Sequence, residues 1–220
     1  MASPTHQSLD SHQSGVGELY FSYGSNMHLK QMAARCPEST LFAKGILRNH
    51  RWYINSRGGA NVAEANQDNY VEGIVFTVPP SNIEILRGYE GVAKGFYVEK
   101  KFDIEIEPFG DPVFENLKPS EAVKILATYE PRPSADGAKS KPNHETKLEV
   151  EKIVRKALVY ISSDQYLSPG TIRDEYIGRM QLSIADARIL GVSQHYVETS
   201  LHPYIFGTQN GAQPETRAAS

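Results

Sequence analysis

Apolar and polar positions change period several times along the chain. Segment 18–23, ELYFSY, is rich in aromatic residues and suits a pleated, half-buried strand. Comparable strand patterns recur at 51–55, 71–78, 96–105, 122–129 and 154–162. Helical patterns are fewer. One runs over 27–36, opened by Ser25 and Asn26 as N-cap residues and stopped by Pro37. A second follows the PPSN stretch, where Ser81 and Glu84 have capping-box spacing and Gly91 closes the helix. The third covers 171–201, interrupted at Gly191 and recapped at Ser183 and Ser193. Strands outnumber helices and do not alternate with them, which disfavours a doubly wound sheet. The pattern predicts an α+β fold, a small mixed β-barrel with helices packed outside.

The remaining segments are polar. Residues 1–17 and 207–220 read as disordered tails around a single domain at 18–206. Within that domain, 131–147 reads as a mobile surface loop, with nothing in it that could bury much area. The N-terminal stretch lacks the apolar run of a secretory signal, and no segment has the length of a membrane span. One cysteine excludes an intramolecular disulfide. A net charge of −3 gives no basic footprint for nucleic acid. These features predict a cytoplasmic protein that engages neither membrane nor nucleic acid.

The chemistry concentrates in two places. The Tyr-Gly-Ser-Asn turn at Tyr23–Asn26 joins a strand to a helix start, where unpaired backbone N–H groups and the helix dipole suit an anion. A phosphate, a carboxylate or a developing oxyanion would each fit. No Walker sequence follows and Lys30 lies a turn into the helix, so a carboxylate suits the turn best. Ser25 resembles a nucleophile elbow but lacks its second glycine. Cys36, at the C-terminal end of its helix, reads as an inert thiol. The seven histidines show no metal-ligand spacing, so no metal is expected. The second place is Glu90, directly after a helix and beside Tyr89 and Gly91. The negative end of that dipole and aromatic neighbours would raise its pKa, making a usable base near neutrality.

Three segments together resemble the gamma-glutamylcyclotransferase family: YFSYGSNM at 20–27, YVEGIVFTVPPSNIEILRGYEGVAKGFY at 70–97, and SPGTIRDEYIGRM at 168–180. The resemblance spans roughly 18–105 and 157–205. It implies a small barrel whose Tyr-Gly-Ser-Asn loop covers a pocket, with Glu90 as acid/base. It implies substrate contacts from Tyr20, Phe21, Ser22, Tyr23, Gly24, Ser25 and Asn26, and from Tyr97 and Tyr176. The implied reaction cyclises a γ-glutamyl group to 5-oxoproline and releases an amine, without a cofactor. The resemblance leaves a homodimer open. A long insertion at about 107–155 departs from smaller family members and could be a lid, a specificity wall or an inert excursion. The competing readings are a non-catalytic small-molecule binding module of the same fold and a serine hydrolase using Ser25.

Overall fold

The computed structural model describes residues 17–130 and 152–207. Seven strands are present among them: β1 (Glu18–Ser22), β2 (Thr40–Arg48), β3 (His50–Ile54), β4 (Ala60–Glu64), β5 (Tyr70–Val78), β6 (Tyr97–Glu107) and β7 (Ile153–Ser162). Five of them close a barrel in the order β1-β5-β2-β6-β7. Its pairings are antiparallel except β1 with β7, which run parallel with Tyr20 opposite Leu158. The expected small mixed barrel is thus the observed architecture. Closure leaves no open strand edge along these pairings. Strands β3 and β4 form a separate hairpin.

The barrel centre is tightly filled, and two facing glycines make that packing possible. Gly45 on β2 pairs with Gly73 on β5. A Cβ on Gly45 would lie 2.7–2.9 Å from side-chain atoms of Val75, Ile104 and Phe21, which converge there from three other strands. Phe21, Ile74, Val75, Phe76 and Ile104 are fully buried. Side chains of this size contribute about 1.5–3 kcal/mol each by leaving water.

Among the described residues, four helices of seven residues or more pack around the barrel: α1 (Leu29–Arg35), α2 (Pro80–Glu90), α3 (Pro119–Leu126) and α4 (Asp174–Ile189). A final helical stretch covers 194–205, with a π-helical turn at Val197–Leu201. Ser193 caps that stretch as expected, its side chain accepting from the Tyr196 amide.

Several local expectations are corrected. Residues 122–129, expected as a strand, belong mainly to α3. Pro119 at its first position and Glu121, which accepts from the Lys118 amide at 2.8 Å, nucleate a helix there. Ser183 is no cap: it lies inside α4 and donates to the Met180 carbonyl. Ser81 does not cap α2, which starts at Pro80 after Pro79. Strands β2 and β4 were not expected. In β2 the alternation is broken by a bulge between Leu41 and Ala43 and by a buried lysine. Lys44 is paired with Glu72 at 3.5 Å and Glu107 at 2.7 Å, so a charge occupies a core position. Glu72 in turn accepts from the Ser193 amide and hydroxyl, which ties the final helical stretch to the barrel. The terminal tails, apart from Gly17 and Gly207, and the loop expected at 131–147 lie outside the described residues.

Candidate active site

The site is a cleft, open to solvent, where the end of β1 meets the end of α2. Alternation along β1 decides which residues reach it. Tyr20 and Ser22 line the cleft, whereas Phe21 points to the opposite face and packs over Gly45 and Gly73. Of the nine substrate contacts expected, eight therefore line the cleft: Tyr20, Ser22, Tyr23, Gly24, Ser25, Asn26, Tyr97 and Tyr176. The structure does not bring Phe21 there. Glu90 joins the eight, from a position 64 residues beyond Asn26.

The turn after β1 is tighter than expected. Ser25–Met27 forms a 3-10 turn, and α1 begins only at Leu29. Ser25 and Asn26 consequently do not cap α1. The Met27 and His28 amides close the turn onto Gly24 and Ser25. The Leu29 amide is taken by Asp186 of α4 at 2.8 Å, a cap supplied from a distant helix. The positive end of α1 thus faces Asp186 rather than the cleft. An amide that does reach the cleft is that of Ser25, 3.3 Å from the Tyr176 hydroxyl.

Glu90 is the last residue of α2. Gly91 ends that helix at φ +65°, and a Cβ there would lie 2.5 Å from the Phe96 ring. A left-handed residue in so close a contact admits glycine alone without strain. The Glu90 carboxylate accepts from Asn26 Nδ2 at 2.9 Å, and the same amide nitrogen lies 2.9 Å from the Tyr20 hydroxyl. Burial pushes the Glu90 carboxyl above its ordinary value, opposed by Arg35, the Asn26 hydrogen bond and Arg179. Tyr20, Tyr23, Tyr97 and Tyr176 are all held above the ordinary tyrosine value, in each case chiefly by burial. The cleft therefore presents neutral hydroxyls around one titratable carboxyl.

Two lining residues escaped the sequence reading, Ala60 and Tyr160. Ala60 is delivered by the β3–β4 hairpin. Asn55 builds its turn, accepting from the Arg57 and Gly59 amides through Oδ1. The Tyr97 hydroxyl then donates to the Ala60 carbonyl at 2.9 Å. Tyr160 sits opposite Glu99 on β6 and donates to its carboxylate at 3.0 Å. Strand alternation on β7 could have flagged Tyr160. Nothing local points to Ala60.

The Ser25 hydroxyl meets Arg179 at 2.7 Å, Gln31 Nε2 at 3.2 Å and the Tyr176 hydroxyl, itself held neutral by burial. None of these is a general base of the kind that activates a serine nucleophile. Cys36 is buried, its thiol pushed up to about 12 by burial, which matches the inert thiol expected. No group of His, Cys, Asp and Glu side chains among the described residues could hold a metal ion, and no described helix is long and apolar enough to cross a membrane.

Raising the carboxyl pKa in the fold has a consequence for stability. The folded state binds the Glu90 proton more tightly than the unfolded chain, so stability falls as pH rises through the window between the two values. Glu90→Gln is therefore expected to raise the melting temperature near neutral pH. The gain should shrink as pH falls through that window and level off below the unfolded carboxylate value. Thermal melts of both proteins across that range would refute the assignment if the difference were flat or reversed.

No protein-family model matches the sequence, and no curated protein matches it at a significant level. Solved structures do match by shape. A gamma-glutamyl cyclotransferase superposes with a TM-score of 0.57 at 16% identity, covering 93% of this chain and 92% of that one. An uncharacterized protein from Homo sapiens gives 0.55 at 16% identity over the same shares. A yeast gamma-glutamyl cyclotransferase described as specific to glutathione gives 0.50 at 13% identity, covering 86% of this chain and 95% of that one. This chain has the gamma-glutamyl cyclotransferase fold.

Proposed function

We propose that this protein is a gamma-glutamylcyclotransferase acting on a γ-glutamyl amine, peptide or glutathione-derived conjugate. The observation that carries the reading is the Glu90 carboxyl in a tyrosine-lined cleft, hydrogen-bonded to Asn26 of the Tyr-Gly-Ser-Asn turn. The shared fold supports it.

The substrate contains both nucleophile and electrophile, so binding it folded supplies much of the catalysis. Its α-nitrogen enters as an ammonium and must lose a proton before it can attack. Glu90 takes that proton. The nitrogen then bonds to the γ-carbonyl carbon, and the carbonyl π pair moves to oxygen. Collapse of the tetrahedral species breaks the bond to the departing nitrogen. Overall, two protons leave the cyclising nitrogen and two reach the departing amine, with the Glu90 carboxyl as their carrier. Ser25 N–H and the cleft hydroxyls are the donors at hand for the carboxylate or the oxyanion of the substrate.

The test is release of 5-oxoproline from a panel of γ-glutamyl compounds, with Glu90→Gln as control. No release from any member would overturn the proposal. In the same assay kcat/KM should fall on the acid side as Glu90 takes up its proton, with a midpoint above the ordinary carboxylate value of 4.5. A midpoint at or below that value would remove Glu90 from the role.

Ser25→Ala separates the serine-hydrolase reading. The hydroxyl makes hydrogen bonds to Arg179 and Gln31 worth about 1–3 kcal/mol together, so a loss of roughly a hundredfold or less in kcat/KM is expected. Complete inactivation with an unchanged melting temperature would restore Ser25 as nucleophile.

A further inference from the structure

Asn26 can hold Glu90 only if its amide faces one way round, and the structure shows what enforces that direction. Gln31 and Arg35 lie four residues apart on α1 and share a face beneath the turn. Arg35 donates to Asn26 Oδ1 at 2.7 Å, and Gln31 Nε2 donates to the same oxygen at 2.8 Å. Arginine has no acceptor. A flipped Asn26 would put its NH₂ against the guanidinium and its oxygen against the Glu90 carboxylate. Gln31 is oriented by the same logic, because Arg179 of α4 donates to its Oε1 at 3.1 Å. The Tyr89 ring, stacked 4.4 Å from the Arg35 guanidinium carbon, holds Arg35 from the other side.

We propose that Arg35 and Arg179 are positioning residues: they fix the polarity of a hydrogen-bond relay through Gln31 and Asn26 that ends on the Glu90 carboxylate. Arg35 acts on Asn26 directly, and Arg179 acts through Gln31. Neither arginine lines the cleft. The inference rests on the proposed role of Glu90 for its kinetic consequences, but not for its structural one.

Glu90 is faced by Arg35 from α1, Arg179 and Tyr176 from α4, Tyr20 from β1, Tyr23 from the following turn, Tyr97 from β6, Tyr160 from β7, and Cys36. Among these the two arginines supply the positive charge. Removing Arg35 takes away a cation that favours the carboxylate and frees the amide that donates to it. Both changes raise the Glu90 titration midpoint.

The test compares Arg35→Met, Arg35→Lys and Gln31→Met with the unaltered protein, each checked by thermal melt. The Glu90 carboxyl is titrated by ¹³C NMR, assigned with Glu90→Gln. Arg35→Met is expected to move the midpoint upward and Arg35→Lys to restore it in part. With γ-glutamyl substrate, Arg35→Met should lower kcat about tenfold, with KM changed less, and shift the acid limb upward. In an Asn26→Ala background the same change should cost less than in the unaltered protein, because the part carried by the relay is already lost. An unmoved midpoint in folded Arg35→Met would overturn the inference. So would full additivity with Asn26→Ala. Gln31→Met keeps the proposal open to refutation should Arg35→Met fail to fold: a midpoint unchanged there would also count against it. A shifted midpoint in a protein that releases no 5-oxoproline would leave the relay standing and sink the proposed activity instead.

Discussion

Glu90→Gln is expected to lower kcat by at least about 10²–10⁴-fold, the usual contribution of a positioned acid or base. The amide keeps the size of the side chain and can still accept from Asn26 Nδ2, so the geometry at the end of α2 should persist. It cannot take a proton from the substrate ammonium. Binding should survive, and substrate protection against thermal unfolding is the direct check. Because the fold disfavours the charged carboxyl, the variant should be at least as stable as the parent near neutral pH. Loss of activity with loss of stability would point to misfolding instead. Retention of more than a tenth of the parent kcat would mean that Glu90 is not the base.

The largest effect on stability is expected at Gly73. A Cβ there would collide with the Ser22 carbonyl oxygen and lie 2.8 Å from Phe21 Cε2. The first obstacle is main chain, so no rotamer change relieves it. Overpacking of this kind typically costs about 1–3 kcal/mol, and a backbone collision belongs at or above the top of that range. Ser22 is the last residue of β1 and leads straight into the turn that carries Ser25 and Asn26. Any shift that accommodates Gly73→Ala therefore displaces the cleft wall, and kcat/KM should fall along with stability. Gly88→Ala is the contrasting control. Gly88 lies inside α2 with nothing within 4 Å of an added Cβ, so alanine there should stabilise by about 0.5–1 kcal/mol. Urea unfolding of the two variants reads both effects. A neutral Gly73→Ala would refute the close approach of the Ser22 carbonyl to Gly73.

The barrel is packed to the point of needing glycine at Gly45 and Gly73, yet the cleft beside it keeps a disfavoured carboxyl and a set of buried hydroxyls. Rigid strands hold Tyr20, Ser22, Tyr97 and Tyr160 in place. Gly24, Ser25, Asn26 and Glu90, which also line the cleft, sit at strand and helix ends.

Local sequence was enough for those features whose cause is local. The aromatic alternation of β1, the Gly-Ser-Asn turn behind it and the glycine that ends α2 after Glu90 are each written in adjacent residues. The α+β class followed from the excess of strands over helices. Tertiary structure decided what depended on distant partners. Ser25 and Asn26 are good capping residues, but Asp186, 157 residues beyond Leu29, takes the amide they were expected to cap. Residues 122–129 have strand-forming side chains, but Pro119 and Glu121 start a helix across them. Phe21 lies within the matching motif, yet period-2 alternation and the two glycines turn it into the barrel. Lys44 is buried because the fold brings Glu72 and Glu107 within ion-pair distance of it. The direction of the Asn26 amide is the furthest from local control. It is set by two arginines on separate helices, because a guanidinium can only donate and the chain must close before either reaches its acceptor.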